Sequence, residues 1–264
     1  MDLKLNGKVA LITGSTAGIG LAIAESLARE GAHVYLNGRT QTRVDAAITE
    51  IRSKVPNARV DGIAADFSND SGARTLVERL PMVDVLVNNV GIFEPKPFAE
   101  IPDEDWYRFF EVNVMSGVRL SRHYLGSMLD RNWGRILFIS SESGVQIPAE
   151  MVHYGMTKTA QVAVARGIAE SCAGTGVTAN SILAGPTASE GVGGFVEAMA
   201  LQQNKSKQQV EQEFFEKARP SSLIKRFARV EEVAAMVTYV ASDLSSATNG
   251  AALRVDGGVI RAIL

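Results

Sequence analysis

Short runs of β-branched and aliphatic residues alternate along the chain with longer stretches whose apolar positions recur at helical spacing. Residues 9–13, 33–36, 59–64, 83–87, 135–139, 177–182 and 251–255 read as strands. Most are apolar on both faces, the mark of parallel strands buried between two helix layers. Residues 19–29, 43–54, 73–80, 103–129, 152–172 and 231–240 read as helices. This alternation predicts an α/β fold, a doubly wound parallel sheet of about seven strands. No linker or break in composition divides residues 1–264, so one domain is expected. One segment departs from the rhythm. Residues 187–226 contain the glycine cluster Gly191-Val192-Gly193-Gly194 and turn charged and amphipathic over 196–217. An insertion after the C-terminal end of a sheet strand is where a lid over a ligand would sit.

Composition narrows the classes of partner. Of 264 residues, 46% are hydrophobic and 21% charged, enough for a full core. Lys and Arg number 27 against 29 Asp and Glu, and this balance gives nucleic acid no basic surface to bind. The opening Met1-Asp2-Leu3-Lys4-Leu5-Asn6 does not read as a signal peptide. No uninterrupted apolar run is long enough for a bilayer, so no membrane partner is expected. Cys172 is the one cysteine, and His33 and His123 lack partners at ligand spacing. No disulfide and no metal site are expected, and a reducing cytoplasm is the expected location.

The first candidate chemistry lies where the first strand runs into a helix, at Thr13-Gly14-Ser15-Thr16-Ala17-Gly18-Ile19-Gly20. Glycines allow a sharp turn and close approach of a diphosphate, and the helix N-terminus offers free N–H groups to the anion. The spacing differs from the common Gly-x-Gly-x-x-Gly fingerprint, and no Gly-Lys-Ser/Thr of a P-loop follows. A glycine-rich turn without a ligand is the plain alternative. The second candidate is Tyr154 and Lys158, four apart on one face of a helix. An ammonium near a phenol lowers its pKa and lets it exchange a proton with a substrate oxygen. Ser141, at the end of the preceding strand, has a hydroxyl for the same oxygen. Alone, such a pair is also met on solvated helix faces.

The motifs gain weight in combination. The glycine turn, Asn88-Asn89-Val90-Gly91, Asn113, Ser141 and Tyr154-Gly155-Met156-Thr157-Lys158 follow in order, and over residues 7–258 the chain closely resembles the short-chain dehydrogenase/reductase family. The most similar subtype is 3-oxoacyl-[acyl-carrier-protein] reductase-like. The resemblance implies a Rossmann-type fold and an NAD(P)-dependent oxidoreductase. It would transfer hydride between a nicotinamide cofactor and a small or medium-sized, largely apolar ketone or secondary alcohol. It further implies a catalytic tetrad: Tyr154 as acid/base, Lys158 lowering its pKa and binding the ribose, Ser141 orienting the substrate oxygen, and Asn113 kinking the long helix and holding a water that links Lys158 to solvent. Cofactor contacts are implied for Gly14, Ser15, Thr16, Gly18, Ile19, Gly20, Asp66, Phe67, Asn89, Gly91, Tyr154, Lys158, Pro186, Thr187 and Ser189. Thr13 and Asn89 would brace the first and fourth strands. Asp66 would meet the adenine or cap the next helix, a task open also to Ser68 and Asn69. Val90 and Ala184-Gly185 depart from the usual Ala and Pro-Gly of the pattern.

NADP(H) is expected over NAD(H). The second strand ends in Leu36-Asn37-Gly38-Arg39, with Gly38 in place of the acid that would bind bare ribose hydroxyls. Arg39 follows and can meet a phosphate with a charge-assisted fork; its plain reading is a solvated residue opening a helix. Other positions are expected to stay outside the chemistry. These are His153 at the pocket rim or a subunit contact, Glu142 exposed, and Phe214-Phe215 packing the lid. Phe195 and Met199 read equally as substrate contacts and as core. The apolar tail 257–264 and small residues Gly155, Ala160, Ala163 and Gly167 suggest a homotetramer, with a dimer as the fallback. Two other functions compete. A dinucleotide sensor would have no use for Tyr154 and Lys158 together, and an extended epimerase or dehydratase would carry a larger C-terminal portion.

Overall fold

The computed structural model describes residues 1–263, the Phe195 side chain excepted, so the expectations for Phe195 and for Leu264 lie outside the described residues. The first half runs β1 (Val9–Ile12), α1 (Gly18–Arg29), β2 (His33–Gly38), α2 (Gln41–Lys54), β3 (Val60–Ala64), α3 (Asp70–Arg79) and β4 (Val85–Asn88). The second half runs α4 (Asp103–Phe110), α5 (Ser116–Asp130), β5 (Gly134–Ser141), α6 (Val152–Ser171), β6 (Val177–Ala184), α7 (Glu190–Gln203), α8 (Lys207–Glu213), α9 (Val230–Val240) and β7 (Ala252–Val255). The strands pair in parallel in the order β3-β2-β1-β4-β5-β6-β7. The order reverses between β1 and β4. In such sheets the crevice beyond the C-terminal strand ends at this reversal receives ligands.

Successive strand side chains point to opposite faces, and both faces are dry. Ala10, Ile12, Val85 and Val87 belong to one core with Ile23 and Leu27 of α1 and Val233 and Val237 of α9. Leu11, Leu86, Ile136 and Phe138 belong to the other, with Leu120, Tyr124 and Met128 of α5 and Ala165 of α6. Every residue of β5 and of β6 is buried, as two helix layers require. No helix among the described residues is long and apolar enough to cross a membrane.

Two departures from the expected elements bear on the site. The stretch 103–129, read as one helix, is interrupted by a π-helical turn at Glu111–Met115 that separates α4 from α5. Segment 187–226 is itself largely helical. Ser189 caps α7, a capping box of Ser206 and Gln209 starts α8, and a second π-helical turn follows at Phe214–Ala218.

Candidate active site

The glycine turn leaves β1 with Gly14 at φ +60° and Gly18 at φ +56°, the left-handed region that favours glycine. A Cβ at Gly20 would lie 2.4 Å from the Gly14 carbonyl oxygen, so the helix can start here only on glycine. The turn is held from outside. Asn37 Oδ1 accepts from the Gly14 N–H at 3.1 Å, and Ser15 Oγ donates to the Ile12 carbonyl at 2.7 Å while accepting from the Asn37 N–H. Thr13 Oγ1 accepts the N–H groups of Asn89 and Val90, and Asn89 Nδ2 donates to the Thr13 and Gly14 carbonyls. No side chain caps α1, and no acid occupies its first turn. Its N–H groups and partial positive charge therefore remain available to an anion.

The adenosine corner has mixed features. Asp66 is exposed, and its Oδ1 accepts from the Ser68 N–H, while Asn69 caps α3. Asp66 is thereby free of the capping task, and Phe67 beside it is buried. Gly38 ends β2, but a Cβ there would stand 2.4 Å from Thr16 Cγ2, so Thr16 already fills the space beside it. Arg39 is exposed and makes no ion pair among the described residues. Arg43 nearby in α2 pairs with Glu190 of α7 at 3.2 Å.

The four chemical residues meet at the C-terminal ends of β4 and β5. Ser141 is the last residue of β5; its Oγ accepts from the Ser143 N–H at 3.1 Å and donates to Glu142 Oε2. Tyr154 and Lys158 share the face of α6 turned to the sheet, with Lys158 Nζ 5.6 Å from the Tyr154 ring centroid. The ammonium donates to the Ile139 carbonyl at 2.9 Å and to Gln161 Oε1 at 3.2 Å. Gln161 Nε2 in turn donates to the Asn113 carbonyl at 2.6 Å. The π-helical turn leaves that carbonyl to Gln161, and the Asn113 side chain clamps Ile92, accepting its N–H and donating to its C=O. The Gln161 side-chain amide thus bridges Lys158 and the Asn113 carbonyl.

Burial brings Lys158 down to about 8, against the opposing pull of Glu142. Burial, then the Glu142 carboxylate, hold the Tyr154 phenol above its ordinary range, while Ser141 and Arg219 oppose them. Tyr154 is thereby held in its protonated, donor form.

Two expectations need correction. Glu142 is not exposed. It is buried and paired through Oε1 with Arg219 Nε at 2.9 Å, a partner supplied from just beyond the second π-helical turn. His153 is not at the rim. It is wholly buried against the Phe109 and Trp106 rings, at centroid distances of 4.0 and 6.0 Å. Burial lowers its pKa, so a neutral ring sits in this aromatic setting. Phe214 has a double position, stacked with Phe215 and Phe227 but also facing the cavity, as Met199 does. Thr187 is buried, its Oγ1 donating to the Gly185 carbonyl, and Ser189 spends its hydroxyl capping α7.

A cavity of about 780 Å³ joins these parts. Ser141, Tyr154 and Lys158 form one wall, Ile19 and Asn89 mark its reach to the glycine turn, and α7, α8 and Arg219 close the far side. The cradle at α1 and the lysine beside the phenol fit a nicotinamide dinucleotide: the free N–H groups of α1 would hold its diphosphate and Lys158 its ribose, and the group would supply or accept hydride.

Comparison with known proteins agrees with this geometry. A family model, short chain dehydrogenase, matches residues 8–200. The chain belongs to that family, and its chemistry is NAD(P)-dependent hydride transfer between a nicotinamide cofactor and a carbonyl or alcohol carbon. It is 47% identical over 263 residues to the uncharacterized oxidoreductase YvaG of Bacillus subtilis, covering 100% of both chains. It is 30% identical to the 3-oxoacyl-[acyl-carrier-protein] reductase FabG of Aquifex aeolicus, covering 98% of this chain and 100% of that one. Among solved structures it is similar to L-sorbose reductase from Gluconobacter frateurii complexed with NADPH and L-sorbose, with a TM-score of 0.94, 31% identity and 100% of both chains covered.

Gln161, Glu142 and Arg219 were not singled out by sequence as site residues. Gln161 carried a signal, since it lies three residues after Lys158 and so shares its helix face. The Glu142–Arg219 pair carried none, because 77 residues separate its members.

Proposed function

We propose that this chain is an NADP(H)-preferring ketone reductase or secondary-alcohol dehydrogenase that uses Tyr154 as its acid/base. The observation that carries the reading is the convergence of Ser141, Tyr154 and Lys158 on one wall of a cavity that reaches the uncapped start of α1. A bound nicotinamide supplies or accepts the hydride. The rest falls to the chain. The neutral Tyr154 phenol gives its proton to the substrate oxygen as negative charge grows there, and takes it back in alcohol oxidation. Ser141 turns its hydroxyl to the same oxygen and fixes it. Lys158 holds the ribose hydroxyls and refills the phenol's proton, steadied by Gln161 and Asn113. Gly14, Ser15, Thr16, Gly18, Ile19, Gly20, Asn89 and Gly91 cradle the dinucleotide, Asp66 and Phe67 border its adenine, and Pro186, Thr187 and Ser189 flank the carboxamide.

Segment 187–226 acts as the lid. Arg39 binds the 2′-phosphate that separates NADP(H) from NAD(H); NADPH in the L-sorbose reductase complex supports this choice. Ala163 and Gly167, exposed on α6, leave small residues where a second helix can approach, in keeping with a homotetramer or a dimer. Cys172 is buried and free, so folding needs no oxidising compartment, and we place the chain in the cytoplasm.

Tyr154→Phe tests the reading. Turnover should fall by ~10²–10⁴-fold, while NADPH binding, followed by its fluorescence, stays within experimental scatter of wild type. Turnover at the wild-type rate would overturn the assignment. For the cofactor, kcat/KM with NADPH should exceed that with NADH by roughly ten- to a hundredfold, the worth of one charged hydrogen bond. A tenfold preference for NADH would show that Arg39 points elsewhere. Sedimentation of a stable monomer at micromolar concentration would refute the assembly.

A further inference from the structure

The serine that would hold the substrate oxygen has a buried charge beside it that proton transfer does not require. Glu142 follows Ser141 in sequence, is 4% exposed and lines the cavity. Its Oε2 accepts from the Ser141 hydroxyl, and its Oε1 from Arg219 Nε. Arg219 is committed in its turn, with Nη1 donating to Glu150 Oε1 at 3.2 Å and to the Ala218 carbonyl at 2.9 Å. The three side chains carry two carboxylates against one guanidinium, and the Lys158 ammonium on the same wall offsets the remaining charge. A carboxylate has room for about four hydrogen bonds, and Glu142 fills only two of those sites with side chains. A desolvated charge that faces apolar matter is costly, and one that faces a donor is not.

We propose that Glu142, fixed by Arg219, determines specificity by accepting a hydroxyl on the carbon next to the reacting one, so that the substrates are neutral α-hydroxy ketones and the corresponding vicinal diols. The proposal rests on the roles given to Tyr154 and Ser141 above. Ser141 Oγ and Glu142 Oε2 are hydrogen-bonded neighbours on one wall. The carbonyl and hydroxyl oxygens of an α-hydroxy ketone are likewise neighbours on adjacent carbons. When Ser141 turns its proton to the carbonyl oxygen, the substrate hydroxyl takes over as donor to Glu142, and no hydrogen bond is lost. The carbonyl carbon gains hydride from the nicotinamide and its oxygen a proton from Tyr154, while the neighbouring hydroxyl passes through unchanged.

Other substrates fare worse by the same reasoning. A plain ketone sets C–H groups against the carboxylate and leaves its acceptor unfilled once Ser141 has turned away. A carboxylate on the carbon next to the reacting one brings no donor and sets like charge against Glu142. A 3-oxoacyl thioester has no hydroxyl on the carbon next to the reacting one. The pocket thus favours a hydroxylated substrate over the largely apolar one suggested by the sequence.

The test compares NADPH-dependent reduction of acetoin, butanone and pyruvate by wild type, Glu142→Gln and Glu142→Leu. Each ketone is also titrated calorimetrically into the enzyme–NADP⁺ complex. Wild type should favour acetoin over butanone by at least ~10-fold in kcat/KM, as a hydrogen bond to a charged group implies, and should leave pyruvate untouched. The preference and the difference in binding should shrink in Glu142→Gln and vanish in Glu142→Leu. Should the leucine variant fail to fold, the glutamine variant and the wild-type titrations still decide the matter. A wild-type ratio near one overturns the proposal. So does an equal loss for acetoin and butanone in the Glu142 variants, which would leave Glu142 as a positioning residue for Ser141. If no ketone is reduced while NADPH fluorescence still reports binding, the substrate class fails and the nicotinamide reading stands. If NADPH does not bind, the underlying reading fails as well.

Discussion

The π-helical turn at Glu111–Met115 and the one at Phe214–Ala218 lie on opposite sides of the same chemistry. In both, the widened turn frees backbone groups from the regular ladder, a feature that recurs at functional sites. The first is set in the body of the domain, and its product is a neutral network. Asn113 binds both polar groups of Ile92 and the Thr157 hydroxyl, and its carbonyl receives Gln161. The second is set in segment 187–226, and it leads directly into a charge. Arg219 reaches across to Glu142 and Glu150, with the Phe214, Phe215 and Phe227 rings packed beside it. A neutral network with every partner filled gives a fixed floor. An ion pair across a cavity gives a closure that opens when water reaches it. Kinetics and stability should separate the two.

The largest effect is expected at the floor. Asn113→Ala strips partners from two backbone groups of Ile92 and from Thr157, at about 1–3 kcal/mol for each buried group left bare. Scanning calorimetry should show a fall in Tm of roughly 5–15 °C for a chain of this size, and kcat should fall by ~10²-fold as Lys158 loses its support. Arg219→Ala should act differently, because a lid can open without unfolding the sheet. Its KM should rise by ~10-fold or more, as when one partner of a charged hydrogen bond is removed, with a Tm loss smaller than that of Asn113→Ala. A Tm loss equal to that of Asn113→Ala would make the lid part of the core and erase the contrast.

Smaller effects concern Lys158. With its ammonium brought down to about 8, kcat/KM for reduction should decline as pH rises through that value. Gln161→Leu removes an acceptor that supports the charged form, so this limb should move to lower pH, by less than about one unit. A limb that stays in place would detach Gln161 from the relay. The same lysine sets a stability trend. Its folded value lies below the 10.5 of an ordinary lysine, so the unfolded chain binds more protons between about 8 and 10.5, and stability from this group rises with pH across that window. Lys158→Met should flatten that rise in denaturant midpoints measured below and above it.

Much of this was legible in residue order. Strand–helix alternation predicted the sheet, and the glycine turn and the Tyr154–Lys158 pair stand where their spacing suggested, because each depends on neighbours close in sequence or on a strand end; Thr13 and Asn89 meet as the family resemblance implied. The misses share a cause. A π-helical turn keeps helical periodicity on both sides, so residues 103–129 read as unbroken. Glu142 read as exposed because an acid is buried only with a partner, and Arg219 is far along the chain. His153 read as a residue of the pocket rim or a subunit contact, whereas the Trp106 and Phe109 rings of α4 enclose it. In each case the deciding contact comes from a distant element.

The tight contact between Gly38 and Thr16 also constrains how this protein can change over generations. An acid at 38, the exchange that suits a bare ribose, places its first carbon against the Thr16 methyl. A lineage drifting toward the other cofactor meets fewer obstacles if position 16 first shrinks to serine or glycine, and only then does 38 accept an aspartate. On the cofactor reading proposed above, positions 38 and 16 would change together, and libraries that vary both should find the exchange more readily than libraries that vary either alone.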